Sequence, residues 1–239
     1  SRYYFKRFMI TRTYEELADT ITSSKLNYKF FDKGAYNLNV IAERKDDVFD
    51  NAPSDVLHVA YRDEKLKPKV LTIKWTTMPG TVGAVYTPIT TGGINVKTGK
   101  WEVVTGVAAL VEAQYLKTYK YVKNVDYWLK YSFLQQVKPV MVYRDSNRDN
   151  ILNRTAVIHT DEGLGQANLF KIHQHIMSPK GVDSNVLNYI YNNKPVVYTM
   201  GCQGSPEPSF KKYIELVDKS AKLYGDILTY TLVGSSDFK

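Results

Sequence analysis

Two stretches in which apolar and polar residues alternate, Tyr36-Asn37-Leu38-Asn39-Val40-Ile41 and Val56-Leu57-His58-Val59-Ala60-Tyr61, constrain this chain more than any other feature. A period of two puts successive side chains on opposite faces of an extended strand, whereas a helix groups residues three and four apart. Between the two stretches, the Asp-, Asn- and Pro-rich run from Asp46 to Ser54 reads as their turn. Thr76-Thr77-Met78-Pro79-Gly80 is a further turn signal, and the pairs Gly92-Gly93 and Thr98-Gly99 are expected to punctuate more short strands. Val140 to Tyr143, Ala156 to His159, Leu169 to His173, Pro195 to Thr199 and Ile227 to Val233 also read as strands. The 19 tyrosines suit half-buried pleated surfaces, so the expected class is mainly β with a few helices (α+β).

Two helices are expected. Thr13 with Glu16 three residues on forms a capping-box pattern at the head of Thr13 to Ser23. Ser209 is expected to cap a second helix, with Tyr213, Ile214, Val217 and Leu223 on one face and Gly225 as its stop. Ala108 to Tyr121 fits either state: Val111, Tyr115 and Tyr119 are spaced as a helical face, while the β-branched and aromatic content suits a strand. Without an internal repeat or low-complexity linker, the chain reads as an N-terminal arm and short helix over 1–27 and one β-rich domain over 28–239. The arm, Arg2 to Phe8, mixes basic and aromatic residues and suits an edge strand or a docking segment.

A 44% hydrophobic composition is ample for a core, which excludes disorder of the whole chain. The net charge of +8 attracts polyanions such as cell-wall polymers or an acidic partner. It is spread along the chain without a block of like charges, which argues against a nucleic-acid tail. No apolar run is long enough to span a bilayer, and the N-terminal residues do not form a secretory apolar segment. The sequence is compatible with an oligomer and carries no cofactor motif.

The single cysteine, Cys202, excludes an internal disulfide and any multi-cysteine zinc site. It follows Gly201 at the end of a predicted strand, where a tight turn would lift the thiol out of the sheet. The amides of Gly201, Cys202 and Gln203 are then candidates to converge on one oxygen, as stabilisation of an acyl-transfer oxyanion requires. His173 and His175, two apart, would share one face of a strand and supply a base or cation for the thiol, if that strand neighbours Cys202. The competing reading is a small buried cysteine with ordinary histidines. His173, His175 and His159 also make a conceivable metal set, but no carboxylate stands at a characteristic spacing. Asp145, Asn147, Asp149 and Asn153 place oxygen side chains at positions 1, 3, 5 and 9 of a calcium-loop pattern. Asn150 stands where that loop uses glycine and Ala156 where it uses a bidentate carboxylate, so a polar β-turn explains the run equally well.

Taken in order, Tyr36-Asn37-Leu38-Asn39-Val40, Thr76-Thr77-Met78-Pro79-Gly80, Tyr143-Arg144-Asp145-Ser146-Asn147-Arg148-Asp149, Ile172-His173 and Gly201-Cys202-Gln203 resemble a family of proteins of tailed, crAss-like bacteriophages of gut Bacteroidales. The resemblance runs from about Tyr28 to the last strand. The His and Gly-Cys elements also resemble the catalytic motif of L,D-transpeptidases, which implies a transpeptidase-like β-sandwich or barrel. By that likeness Cys202 attacks a stem-peptide carbonyl of peptidoglycan, His173 takes the thiol proton with His175 in reserve, Gly201 contributes to the oxyanion hole, and Thr199 and Gln203 contact substrate. The transpeptidase motif usually reads Ser-His-Gly-Cys followed closely by arginine. Here the run is Thr199-Met200-Gly201-Cys202-Gln203-Gly204, so specificity is expected to differ or activity to be lost. The resemblance implies synthesis in a host bacterial cytoplasm and action at the host cell wall or in the virion. Peptidoglycan or other virion proteins are the expected partners. The alternative expectation is a tail, ring or connector protein without catalysis.

Overall fold

The computed structural model describes residues 9–49, 53–80, 90–123, 132–160, 172–177, 190–191, 194–195, 199 and 201–238. The basic aromatic arm therefore lies outside the described residues. The first described element is helix α1 (Tyr14–Thr22), whose capping box forms as the sequence predicts: Thr13 Oγ1 accepts from the Glu16 amide and the Glu16 carboxylate accepts from the Thr13 amide. Three antiparallel strands follow: β1 (Asn39–Arg44), β2 (Asp55–Arg62) and β3 (Pro68–Trp75). Asp63 Oδ1 accepts from the amides of Lys65 and Lys67 and so closes the turn between β2 and β3. Next come β4 (Thr90–Asn95), β5 (Trp101–Thr105), β6 (Ala108–Leu110), β7 (Ala113–Val122), β8 (Phe133–Gln136), β9 (Met141–Arg144), β10 (His159–Thr160), β11 (Gln174–Ile176), β12 (Ile190–Tyr191), β13 (Lys194–Pro195) and β14 (Gln203–Ser205). Helix α2 (Glu207–Tyr224) and strand β15 (Ile227–Gly234) complete the fold before a short 3₁₀ turn over Ser235–Asp237.

The protein is mainly β, as expected from its alternation. Eight strands form one sheet in the order β14-β11-β8-β7-β15-β1-β2-β3. The sheet curls until its two ends meet: the Thr76 amide donates to Gly204 O at 2.7 Å, and the Gly204 amide donates to Thr76 O at 3.2 Å. This near-barrel encloses Trp75, Tyr119, Tyr230 and Leu57, and α2 lays Phe210, Tyr213 and Val217 into the same core. On the outer face, α1 covers Ile41, Ala60 and Val233 with Tyr14, Leu17 and Ile21. Strand β2 is consequently buried on both faces along most of its length, and its alternation separates a core face from a helix-covered face. The remaining strands form a five-stranded sheet, β5-β4-β10-β9-β6, and a two-stranded one, β12-β13. No described helix is long and apolar enough to cross a membrane.

The structure decides the open assignment of Ala108 to Tyr121 and corrects other sequence expectations. Ala108 to Tyr121 is strand throughout most of its length: Tyr115 and Tyr119, four apart, share a face of a strand as they would of a helix, and β7 shifts register against β15 near Lys117, which has φ +49°. Gly92-Gly93 lies inside β4, paired with Val103 and Glu102, where the missing side chain of Gly93 admits His159 of the neighbouring strand. Ala156 to His159 is strand only at its end. Helix α2 begins two residues before Ser209, with Pro206 at its N-cap and Pro208 in the first turn, where a missing amide hydrogen costs no helical bond. Gly225 ends it with φ +86°, as predicted, but Leu223 is exposed because the last turn runs past the residues on which α2 packs. Of the predicted Leu169 to His173 and Pro195 to Thr199 strands, residues 169–171 and 196–198 lie outside the described residues; the pairing seen near them is at β11 and β13.

A buried ionic group joins the two large sheets. Arg44, at the end of β1, donates to Thr77 Oγ1, Thr77 O and Leu110 O, and forms an ion pair with Glu112 at 2.9 Å. Glu112 also takes Arg154 at 2.7 Å, and Arg154 reaches Asp47. These groups line a cleft of about 590 Å³ with Tyr28 and Asp237. Removing one partner of a buried ion pair leaves the other charge desolvated, a loss of about 3–5 kcal/mol. Arg44→Met is accordingly expected to lower unfolding free energy by about that amount in urea titration. Gly204→Ala is expected to cost about 1–3 kcal/mol in the same experiment, since a Cβ there would overlap the His175 carbonyl oxygen.

Candidate functional site

Strand pairing brings the candidate residues together. β11 and β14 run parallel with Gln174 opposite Gln203 and His175 opposite Gly204, and the Gln203 amide donates to His173 O at 2.9 Å. One step back in the same register, His173 stands beside Cys202. Alternation along both strands then places His173, His175 and Cys202 on one face and Gln174 and Gln203 on the other. Cys202 is partly exposed, whereas His173 and His175 are buried.

The turn before Cys202 is built by Thr199 and Gly201. Thr199 Oγ1 accepts from the Gly201 amide at 3.2 Å and donates to Cys202 O at 2.9 Å. Gly201 has φ +153°, which side-chain-bearing residues rarely adopt, and a Cβ there would come within 2.7 Å of Ile172. Thr199 thus shapes the turn with the oxygen expected to contact substrate. The three amides proposed for an oxyanion hole do not converge, because that of Gly201 points to Thr199 and that of Gln203 to His173 O.

Gln203 lies on the opposite face to the one expected of a substrate contact. Its side chain is fully buried, where Oε1 accepts from the Tyr230 hydroxyl and Nε2 donates to Thr77 O at 3.4 Å. Trp75 Nε1 donates to that same hydroxyl at 3.0 Å, and Tyr213 donates to Gln174 Oε1 at 2.9 Å. Burial raises the pKa of Tyr230 and Tyr213 far above the usual phenolic range, so both remain hydroxyl donors. Nothing in the sequence distinguished Gln174 and Gln203 as core residues, since glutamine is normally exposed.

The histidines differ in their surroundings. His175 Nδ1 donates to Ile176 O at 2.9 Å, and complete burial lowers its pKa to about 4 despite that bond, so it is neutral near physiological pH. His173 Nδ1 accepts from the Gln136 amide at 3.1 Å. The role of proton acceptor expected for His173 therefore requires that contact to open or a proton to leave Nε2. His159 sits in the five-stranded sheet, 2.9 Å from Glu102, so it does not join the other two histidines. Among the described residues no group of three metal-ligating side chains forms.

The Asp145 loop closes on itself. Asp145 Oδ1 and Oδ2 accept from the amides of Asp149 and Asn150, and Asp149 accepts from Asn147 Nδ2 at 2.8 Å. Burial pushes the Asp145 pKa up, against these amide bonds. The oxygens that suggested calcium thus serve Asx-type turn bonds.

A histidine whose folded pKa lies below its unfolded value binds fewer protons when folded. His175 is therefore expected to make stability rise with pH between about 4 and 6.5, a slope that His175→Gln should flatten in denaturant titrations across that range. No protein-family model, curated protein or solved structure matches this chain.

Proposed function

We propose that this protein is a cysteine-dependent enzyme of a tailed bacteriophage that acts on peptidoglycan stem peptides. The observation carrying this reading is the parallel register of β11 and β14, which sets His173 beside a partly exposed Cys202 after a glycine-dependent turn. In the proposed reaction the Cys202 sulfur forms a bond to a peptide carbonyl carbon and the C–N bond breaks. The thiol proton ends on the departing amine, and water or a second amine then releases the thioester. In the reacting complex His173 Nε2 is proposed to move onto the sulfur, a contact that favours thiolate. The net charge of +8 supports residence on anionic cell wall. Synthesis in a host bacterial cytoplasm and action at the wall follow from the same reading.

One set of observations favours a second reading, a non-enzymatic virion component. Thr199, Gln203 and His175 are buried and their polar atoms serve the wall of the near-barrel, as they would in a scaffold that presents surfaces for assembly. Co-purification with virions at fixed stoichiometry, without wall cleavage, is its expected signature.

The two readings separate at Cys202. Iodoacetamide is expected to label it about tenfold faster in the wild type than in His173→Ala at about pH 7, and Cys202→Ala is expected to abolish peptidoglycan cleavage with the fold retained by circular dichroism. Equal cleavage by Cys202→Ala would sink the cysteine mechanism.

A further inference from the structure

We infer that Gln136 is the positioning residue of the His173–Cys202 pair, fixing the His173 ring as the tautomer with its proton on Nε2; its catalytic consequence rests on the cysteine-enzyme reading above. β8 and β11 pair antiparallel at Leu134 and Gln174, and beyond that point side chains enter the ladder. The register would set Gln136 opposite Ile172. Instead of exchanging backbone bonds there, the Gln136 amide donates to His173 Nδ1 at 3.1 Å and the Ile172 amide donates to Gln136 Oε1 at 2.7 Å. Gln136 Nε2 donates to Lys138 O at 2.9 Å, which orients the side-chain amide, and the whole residue is buried. Phe133, three residues earlier on the same strand, packs its ring edgewise with the His173 ring at 5.5 Å.

A backbone amide can only donate, so the nitrogen it meets must carry a lone pair. The neutral His173 ring then bears its proton on Nε2, and an imidazolium would set one N–H against another. His175, two residues on, is held the opposite way, because a carbonyl oxygen can only accept and Ile176 O therefore requires a proton on Nδ1. Neighbouring histidines on one strand are thus opposite neutral tautomers. The Gln136 amide thus orients the His173 ring, and the Gln136 side chain holds the backbone that carries it.

Long-range proton–nitrogen correlation spectra of the uniformly nitrogen-15-labelled protein at about pH 7 read this directly. The chain has only 4 histidines, assignable with His173→Gln and His175→Gln. His173 is expected with its proton on Nε2 and His175 with its proton on Nδ1; His173 protonated on Nδ1, or doubly protonated, would overturn the inference. In iodoacetamide labelling of Cys202, Gln136→Leu, which removes the acceptor for the Ile172 amide but keeps the backbone amide on His173 Nδ1, is expected to slow the reaction by up to about tenfold. Gln136→Glu, which keeps an acceptor for the Ile172 amide and, as the buried neutral acid, a donor for Lys138 O, should stay within about threefold of wild type. Wild-type speed in a folded Gln136→Leu would remove the positioning role. Wild-type labelling no faster than His173→Ala would instead sink the cysteine-enzyme reading and the catalytic consequence with it, while the spectra decide the tautomer independently.

Discussion

The meeting of Thr76 with Gly204 is the contact on which the rest of this structure depends. An eight-stranded sheet twists by its nature, and whether it remains an open surface or closes around a core is decided where its first and last strands approach. Here closure passes through a residue without a side chain. Gly204 pairs with His175 on one side and Thr76 on the other, and any Cβ would overlap the His175 carbonyl. Closure in turn fixes β11 and β14, and with them the relation of His173 to Cys202. The short strand that follows the thiol is held by Thr76 and β11 together, so the geometry around Cys202 depends on the closed sheet as well as on its turn.

Inside this enclosure the aromatic core is threaded by hydrogen bonds. Trp75 donates to Tyr230, Tyr230 donates to Gln203, and Gln203 donates to Thr77, which in turn meets Arg44 and Asp55. Each polar atom in such a chain has its partner, and a buried network satisfied in this way rigidifies and specifies one packing. Asp55 illustrates the competition involved: burial raises its pKa, while bonds from Thr77 and Lys45 and the nearby Arg44 charge oppose that shift. Outside the sheet, beneath α1, Glu43 shows the opposite balance. Burial alone would raise its pKa, but bonds from His58, Arg12 and Ser235 outweigh it and hold the carboxyl at about 2. That carboxylate contributes stability above its ordinary value of 4.5 that is lost as pH falls toward 2.

The candidate site lies where the regular ladder gives way. On one flank of His173 the backbone ladder to β14 continues through Gln203; on the other, side chains of Gln136 and His173 replace ladder bonds. Replacing backbone pairs with side-chain pairs is one way for a rigid sheet to orient an imidazole without relying on a loop, because both ring position and tautomer are set by groups that the sheet itself holds. Thr199 plays a comparable part for Cys202, bonding both ends of the turn that presents it.

Local signals along the chain were sufficient for local features. Thr13 and Glu16 satisfy each other's backbone within one turn, Gly225 can adopt the positive φ that ends α2, and the alternation in Val56 to Tyr61 needs only an extended strand. Period-two alternation divides a strand into two faces but does not say what covers either, so burial of both faces of β2 awaited α1. Parallel pairing of β1 with β15 joins residues nearly 200 positions apart, and no local pattern encodes such a partner. For the site, residue types alone singled out Cys202, Gly201 and the two histidines. Only tertiary structure set His173 beside Cys202, turned Gln203 into the core and placed Gln136 against an imidazole. Those outcomes depend on register between distant strands, and a shift of one residue would exchange the two faces of every strand involved.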